Sequence, residues 1–189
     1  TMRSIRTVDC HSHTCLRSEY YKAGTRDIFN LMSYFERDIQ GTTGKSSGQL
    51  YEGTSSDEER WQILSKVLSK TRNVSYWRHN MVMYRELFGL EDEELDDTNW
   101  SYVNEQIKEK TADPDWYHYV TCDVCNLTTQ VRNIPWFQDW EPEYFTAVLR
   151  MESALEMHRK DARESLEKHL NCSVNDLSSL KKVLSNLVE

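Results

Sequence analysis

The sequence lacks a long hydrophobic run, a block of basic residues and an even set of cysteines. Without about 18 consecutive apolar residues a transmembrane helix is not expected. The net charge of −8, spread along the chain, disfavours nucleic acid or an anionic membrane as a partner. Residues 1–6 lack the apolar stretch of a signal peptide. Five cysteines are too few, and odd in number, for a secreted disulfide scaffold, so we expect a cytoplasmic protein with reduced thiols.

What is present is the composition of a folded protein. Hydrophobic residues make up 38% of the chain, charged residues 29% and aromatic residues 11%. Such values are ordinary for a globular protein, and large rings supply much buried area. The length of 189 residues predicts a single domain over 1–189.

Short β-prone segments alternate with longer helical ones. We predict strands at 5–10, within 117–127 and at 145–150. Apolar residues at helical spacing predict helices at 25–40, from 55, at 76–87, from about 99 to 110, at 154–170 and at 177–188. The Gly/Ser/Thr cluster at 41–48 predicts a flexible loop. Few strands separated by helices favour an α/β fold with parallel strands.

Two histidines follow the first predicted strand in the segment Val-Asp-Cys-His-Ser-His at 8–13. Residues two apart on a strand project to the same side, so His11 and His13 can ligate one cation. Imidazole is a common ligand of divalent transition metals, and Zn²⁺ is the expected ion. The alternative is two surface histidines that are close by chance.

A second motif, Cys122-Asp123-Val124-Cys125, has the spacing of a zinc or redox site. A zinc site normally needs a second pair, and a redox CxxC opens a helix. The β-prone surroundings instead favour buried, inert thiols in the second strand.

The strand followed by HxH resembles the opening of the amidohydrolase superfamily, in which HxH binds the catalytic metal. The longer layout is similar to uronate isomerase, with the resemblance carried by the segments 73–79, 84–90, 96–100 and 145–152. It implies an α/β fold: part of a (β/α)8 TIM-type barrel with about three parallel strands and a large helical insertion at 25–110. The chain would be the N-terminal portion of such an enzyme.

The resemblance also implies a function and its residues. A uronate isomerase interconverts aldose and ketose forms of a hexuronate, so the expected substrate is a small sugar acid. His11 and His13 would hold the metal. Arg150 falls on the family's Arg that contacts the sugar acid, and a guanidinium binds a carboxylate bidentately. Tyr34 and Arg37 are further substrate-binding candidates.

Departures from the family pattern leave alternatives open. Leu149, Met151 and Glu152 stand where the family has Trp, Pro and Asp. A metal-dependent hydrolase of an ester, lactone or amide on the same fold is one alternative, and a helical interaction domain without activity is another. An eight-stranded barrel needs about 250 residues. We therefore expect the chain to form an oligomer or to be completed by further chain that supplies the remaining catalytic residues.

Overall fold

The computed structural model describes residues 5–32, 34–134, 140–149 and 156–188. The chain forms two compact units. One, the sheet unit, combines Thr1–Tyr20 with His118–Glu189, and the other, the helical unit, is Tyr21–Tyr117. The range 25–110, predicted as a helical insertion within one domain, lies inside the helical unit.

The sheet unit contains three parallel strands. β1 is Thr7–Ser12, β2 is Leu127–Ile134 and β3 is Phe145–Leu149, in the order β1-β2-β3. Both pairings are parallel, as the spacing of strands and helices predicts. The α/β class with parallel strands is therefore confirmed. The eight-stranded barrel and the role of residues 25–110 as an insertion in it stay predictions.

Strand register differs between the two pairings. β2 and β3 pair without interruption from Gln130 opposite Phe145 to Ile134 opposite Leu149. β1 and β2 shift register between Asp9 and Ser12, and Ser12 then pairs with Arg132. Such an irregularity redirects side chains and is common beside functional sites. This irregularity brackets His11 and immediately precedes His13.

Helices accompany the strands of the sheet unit, and the first of them has its last two residues in the helical unit. Helix α1 (Arg17–Lys22) follows β1, and the Glu141 carboxylate accepts the Arg17 and Ser18 N–H groups at 2.6 and 2.9 Å. A carboxylate at a helix N-terminus accepts hydrogen bonds from the free N–H groups, and its negative charge interacts favourably with the positive end of the helix dipole. After β3 come two further helices, α8 (Lys160–Leu170) and α9 (Leu177–Val188), which enclose a small apolar cluster.

The helical unit holds the large apolar core. Its elements are α2 (Phe35–Thr43), α3 (Ser47–Leu50), α4 (Asp57–Thr71), α5 (Ser75–Phe88), α6 (Trp100–Thr111) and the first two residues of α7 (Trp116–His118). Their apolar stripes meet, so that the core side chains are buried, among them Phe35, Leu64, Trp77, Tyr84 and Ile107.

The two ends of the helical unit are tied together. The Tyr21 hydroxyl accepts the backbone N–H of Tyr117 at 3.1 Å. The same hydroxyl lies 2.9 Å from the carbonyl oxygens of Asp113 and Pro114, to which it can donate. One side chain therefore holds the first residue of the unit against its last turn.

Three predictions of local structure were wrong. The strand predicted within 117–127 is absent from 117–126: α7 continues as a π-helical segment, Tyr119–Val124, and β2 begins only at Leu127. The predicted loop at 41–48 contains the end of α2 and the start of α3, whose Ser46 and Gln49 form a capping box. The helix predicted from 25 begins only at Phe35, after turns that the Asp27 carboxylate stabilises.

The other helices agree with the prediction within a few residues, except that the helix predicted at 154–170 begins only at Lys160. Residues 156–159 form turns, and 154–155 lie outside the described residues. Among the helices that the structure describes, none is both long and apolar enough to cross a membrane.

Candidate metal centre

His11 and His13 converge at the carboxyl end of β1. Their Nε2 atoms are 2.9 Å apart, and the ring centroids are 4.8 Å apart with the rings steeply inclined. Both side chains are exposed. The Asp9 carboxylate accepts the backbone N–H of His11 at 3.1 Å, which holds the strand end in shape. The two Nε2 atoms thus share a hydrogen bond, and both rings lie on one side of the strand end, as the HxH spacing predicts.

The donor set fits a divalent transition metal. Imidazole nitrogens lie about 2.05 Å from Zn²⁺, so two nitrogens 2.9 Å apart subtend about 90° at the ion. A tetrahedral angle requires about 3.3 Å between the nitrogens, a change of a few tenths of an ångström. Both are neutral donors when deprotonated, as metal ligation requires.

A hydrogen-bonded group of buried polar residues lies behind the histidines. Ser12, between them in sequence, is 6% exposed, and Gln130 of β2 is 3% exposed. Ser12 Oγ lies 3.2 Å from Gln130 Oε1 and 2.9 Å from Thr14 Oγ1, and it accepts the Thr14 N–H at 3.1 Å. The turn that leads out of β1 is therefore anchored to the neighbouring strand.

Two ligands are an incomplete metal site. Within residues 5–32, 34–134, 140–149 and 156–188, no group of three or more His, Cys, Asp or Glu side chains gathers to hold an ion. His11 and His13 alone supply fewer ligands than the three that a catalytic zinc site takes from its protein.

Tyr34 and Arg37 lie together in the helical unit. The Arg37 guanidinium stands 4.8 Å over the Tyr34 ring, and Tyr34 also contacts Tyr76 with ring centroids 5.5 Å apart. Both Tyr34 and Arg37 are exposed at the start of α2. A cation over an aromatic face is a stable surface pair that leaves guanidinium N–H groups free to donate. The structure thus pairs these two candidates with each other.

Arg150 lies outside the described residues, directly after β3 in sequence. Another arginine that the sequence pattern did not single out is Arg132, which pairs in register with Ser12. Its guanidinium is 3.5 Å from the Glu19 carboxylate of α1 and lies over the Phe145 ring. Nothing in the local sequence marks Arg132, because its position beside the HxH strand end depends on pairing between distant segments.

The cysteines of the CxxC motif are placed differently from the prediction. Cys122 lies in the π-helical segment and is half-buried, whereas Cys125 follows it and is exposed. Neither lies in a strand. Burial, assisted for Cys122 by the Asp123 and Glu143 carboxylates, raises the pKa of both thiols. Both thiols are free, and a raised pKa makes them poor nucleophiles at neutral pH.

Comparison with known proteins gives a fold match without a sequence match. No protein-family model and no curated protein matches the sequence. The structure is similar to the crystal structure of glucuronate isomerase from Caulobacter crescentus, with a TM-score of 0.75 and 14% sequence identity. The match covers 98% of this chain and 43% of that enzyme, consistent with the N-terminal portion that the sequence resemblance implies. The chain thus spans less than half the length of its structural neighbour.

Proposed function

We propose that the chain is part of a metal-dependent enzyme that interconverts the aldose and ketose forms of a hexuronate. The observation that carries the proposal is the pair of imidazole nitrogens 2.9 Å apart at the carboxyl end of β1. In parallel barrels active sites sit at that end of the strands. The similarity in fold to a glucuronate isomerase supports the choice of substrate class.

His11 and His13 would hold the cation, with Zn²⁺ as the first choice because of the nitrogen donors. When bound, a divalent cation supplies Lewis-acid polarisation of a carbonyl or hydroxyl oxygen. Further ligands, and the base that moves the proton in an isomerisation, would come from outside the described residues or from a second polypeptide.

Substrate recognition would rest on arginine. Arg150 is the proposed anchor of the substrate carboxylate, since its planar fork matches a carboxylate in a way that lysine does not. Tyr34 and Arg37 are proposed as secondary contacts. Their exposed guanidinium and hydroxyl groups suit an anionic polyol.

The first test is metal binding. Chelator-treated protein is titrated with Co²⁺, whose absorption bands report nitrogen coordination, in the wild type and in His11→Ala and His13→Ala. We expect each substitution to weaken binding by at least tenfold, because each removes one of two ligands. His79→Ala, which removes an exposed histidine of the helical unit, is the control. Equal affinity in all four proteins would contradict the proposal and favour the non-enzymatic alternative.

A second test separates isomerase from hydrolase. Metal-loaded protein, alone and with any polypeptide that copurifies with it, is assayed with hexuronates and with lactones or esters. Formation of a ketose without hydrolysis supports the proposal. Hydrolysis without isomerisation would replace it with the hydrolase alternative.

A further inference from the structure

The hydrogen bond between Ser12 and Gln130 joins the HxH turn to a strand 118 residues away in sequence. An amide oxygen only accepts, so Ser12 must be the donor in this bond. Ser12 Oγ in turn accepts the backbone N–H of Thr14, which closes a short turn around His13. The path of the chain through His13 is therefore set by a hydroxyl that β2 orients.

Gln130 is itself fixed from more than one side. Its backbone N–H donates to the carbonyl of Tyr144 at 2.9 Å, in the segment that enters β3. Its side chain is 3% exposed. The Nε2 donor finds no partner among the residues that the structure describes, although buried polar groups are normally satisfied. The one side-chain hydrogen bond of Gln130 that the structure describes is therefore the bond to Ser12.

We propose that Ser12 and Gln130 are positioning residues that set the separation of the His11 and His13 ring nitrogens, an inference that rests on the proposed metal centre. The register shift between Asp9 and Ser12 interrupts the regular pairing of β1 with β2 just before Ser12, which then pairs with Arg132. The Ser12–Gln130 bond adds a side-chain tie to β2 at the one residue between the two ligands. Groups hydrogen-bonded directly to metal ligands are worth about 10- to 100-fold in metal affinity, and a bond at the residue between two ligands is expected at the lower end of that range.

The experiment removes this bond from either end. Ser12→Ala deletes the donor, and Gln130→Met deletes the acceptor while keeping the length of the side chain. Thr128→Ala, at an exposed position of the same strand, is the control. We expect each variant to weaken Co²⁺ binding about tenfold, and the double variant to be no weaker than Ser12→Ala, because Ser12→Ala already removes the bond that Gln130→Met removes.

A measurement on metal-free protein adds a readout that general destabilisation does not move. In the wild type the rings are close enough for a nuclear Overhauser contact between their carbon-bound protons. We expect this contact to weaken in both variants while thermal unfolding stays cooperative. Wild-type Co²⁺ affinity and an unchanged ring contact in folded Ser12→Ala and Gln130→Met proteins would overturn the inference. Loss of folding in both variants would also overturn the inference, because the hydrogen bond would then be required for the fold as a whole.

These outcomes are separate from the test of the metal centre. If His11→Ala and His13→Ala lose Co²⁺ but Ser12→Ala and Gln130→Met do not, the proposed function stands and the positioning role falls. If the histidine variants bind Co²⁺ as the wild type does, the metal centre itself is wrong.

Discussion

Asp57, the first residue of α4, accepts hydrogen bonds from three side chains of the helical unit. Lys108 Nζ, Asn104 Nδ2 and Arg60 Nη1 donate to it at 2.7, 2.9 and 3.3 Å. Partial burial alone would raise the pKa of Asp57, but these hydrogen bonds outweigh it, so the pKa lies below its usual value. The pKa of Lys108 is raised, chiefly by its hydrogen bond to Asp57.

This network predicts a pH dependence of stability. A carboxylate with a lowered pKa stabilises the fold above its unfolded-state pKa of about 3.9, and that contribution is lost as the pH falls through the folded-state pKa. Asp57→Asn should therefore unfold at lower urea concentration than the wild type at pH 7, and the difference should shrink below about pH 4. Glu58→Gln, which removes an exposed charge from the same helical turn, is the control. A difference that persists unchanged at pH 3 would contradict the role of the Asp57 charge.

At the scale of single elements, α2 and α5 share the same C-terminal backbone conformation but differ in the side chains around it. Each is followed by a glycine in the left-handed region, Gly44 and Gly89, both with φ of 73°. A Cβ on Gly44 would meet nothing within 4 Å, whereas a Cβ on Gly89 would lie 3.0 Å from the Tyr102 hydroxyl. The two positions thus share a conformational requirement and differ in space.

We therefore expect Gly44→Ala and Gly89→Ala to differ in effect. Both incur the cost of left-handed backbone for an L-residue, about 1–2 kcal/mol. Gly89→Ala should lower the melting temperature further, because Tyr102 must also move. Gly89→Ala in a Tyr102→Phe background lacks the contacting oxygen, so the difference between the two backgrounds measures the share of destabilisation that the Tyr102 hydroxyl causes. Equal shifts for the two glycine variants would show that Tyr102 adapts at no cost.

Elements with both a cap and an apolar stripe could be predicted from the sequence. Ser56 caps α4 and Gly89 ends α5, and both lie where the sequence signals place them. Residues 117–127 were misjudged because their Tyr, Val, Thr and Cys favour strands by intrinsic preference, which tertiary context overrides. The overlooked signal is Asn126, which has φ of 52° and ends the helical segment as asparagine often does.

The same contrast holds for the candidate site. His11 and His13 were predictable because strand periodicity is local. Ser12, Gln130 and Arg132 were not, because their relation depends on a register between strands separated by more than 100 residues, with an irregularity inside it. The hydrophobic pattern of a single sequence constrains register along a regular strand, but it does not locate the irregularity that shifts the pairing here.

At the scale of the whole chain, the helical unit has its own core and joined ends. The large apolar core, which includes Phe35 and Trp77, is built from described residues of Tyr21–Tyr117. The Tyr21 hydroxyl closes the unit by accepting the Tyr117 N–H. A segment with these properties has what an independently folding domain requires.

We predict that residues 21–117 expressed alone fold as a helical domain. Circular dichroism should show helix that unfolds in one cooperative transition, and near-ultraviolet spectra should show fixed aromatic packing. Tyr21→Phe should lower the melting point by a few degrees, since it removes the closing hydroxyl, worth about 1 kcal/mol. Tyr102→Phe, at an exposed tyrosine of α6, is the control. A fragment without cooperative unfolding would show that the helices depend on the rest of the chain.

The Tyr21 closure also has an evolutionary consequence. Because entry and exit of the helical unit meet at one hydroxyl, the span between them can lengthen, shorten or be exchanged while β1 and β2 keep their pairing. A shorter connector between positions 21 and 117 is therefore compatible with the strands on either side.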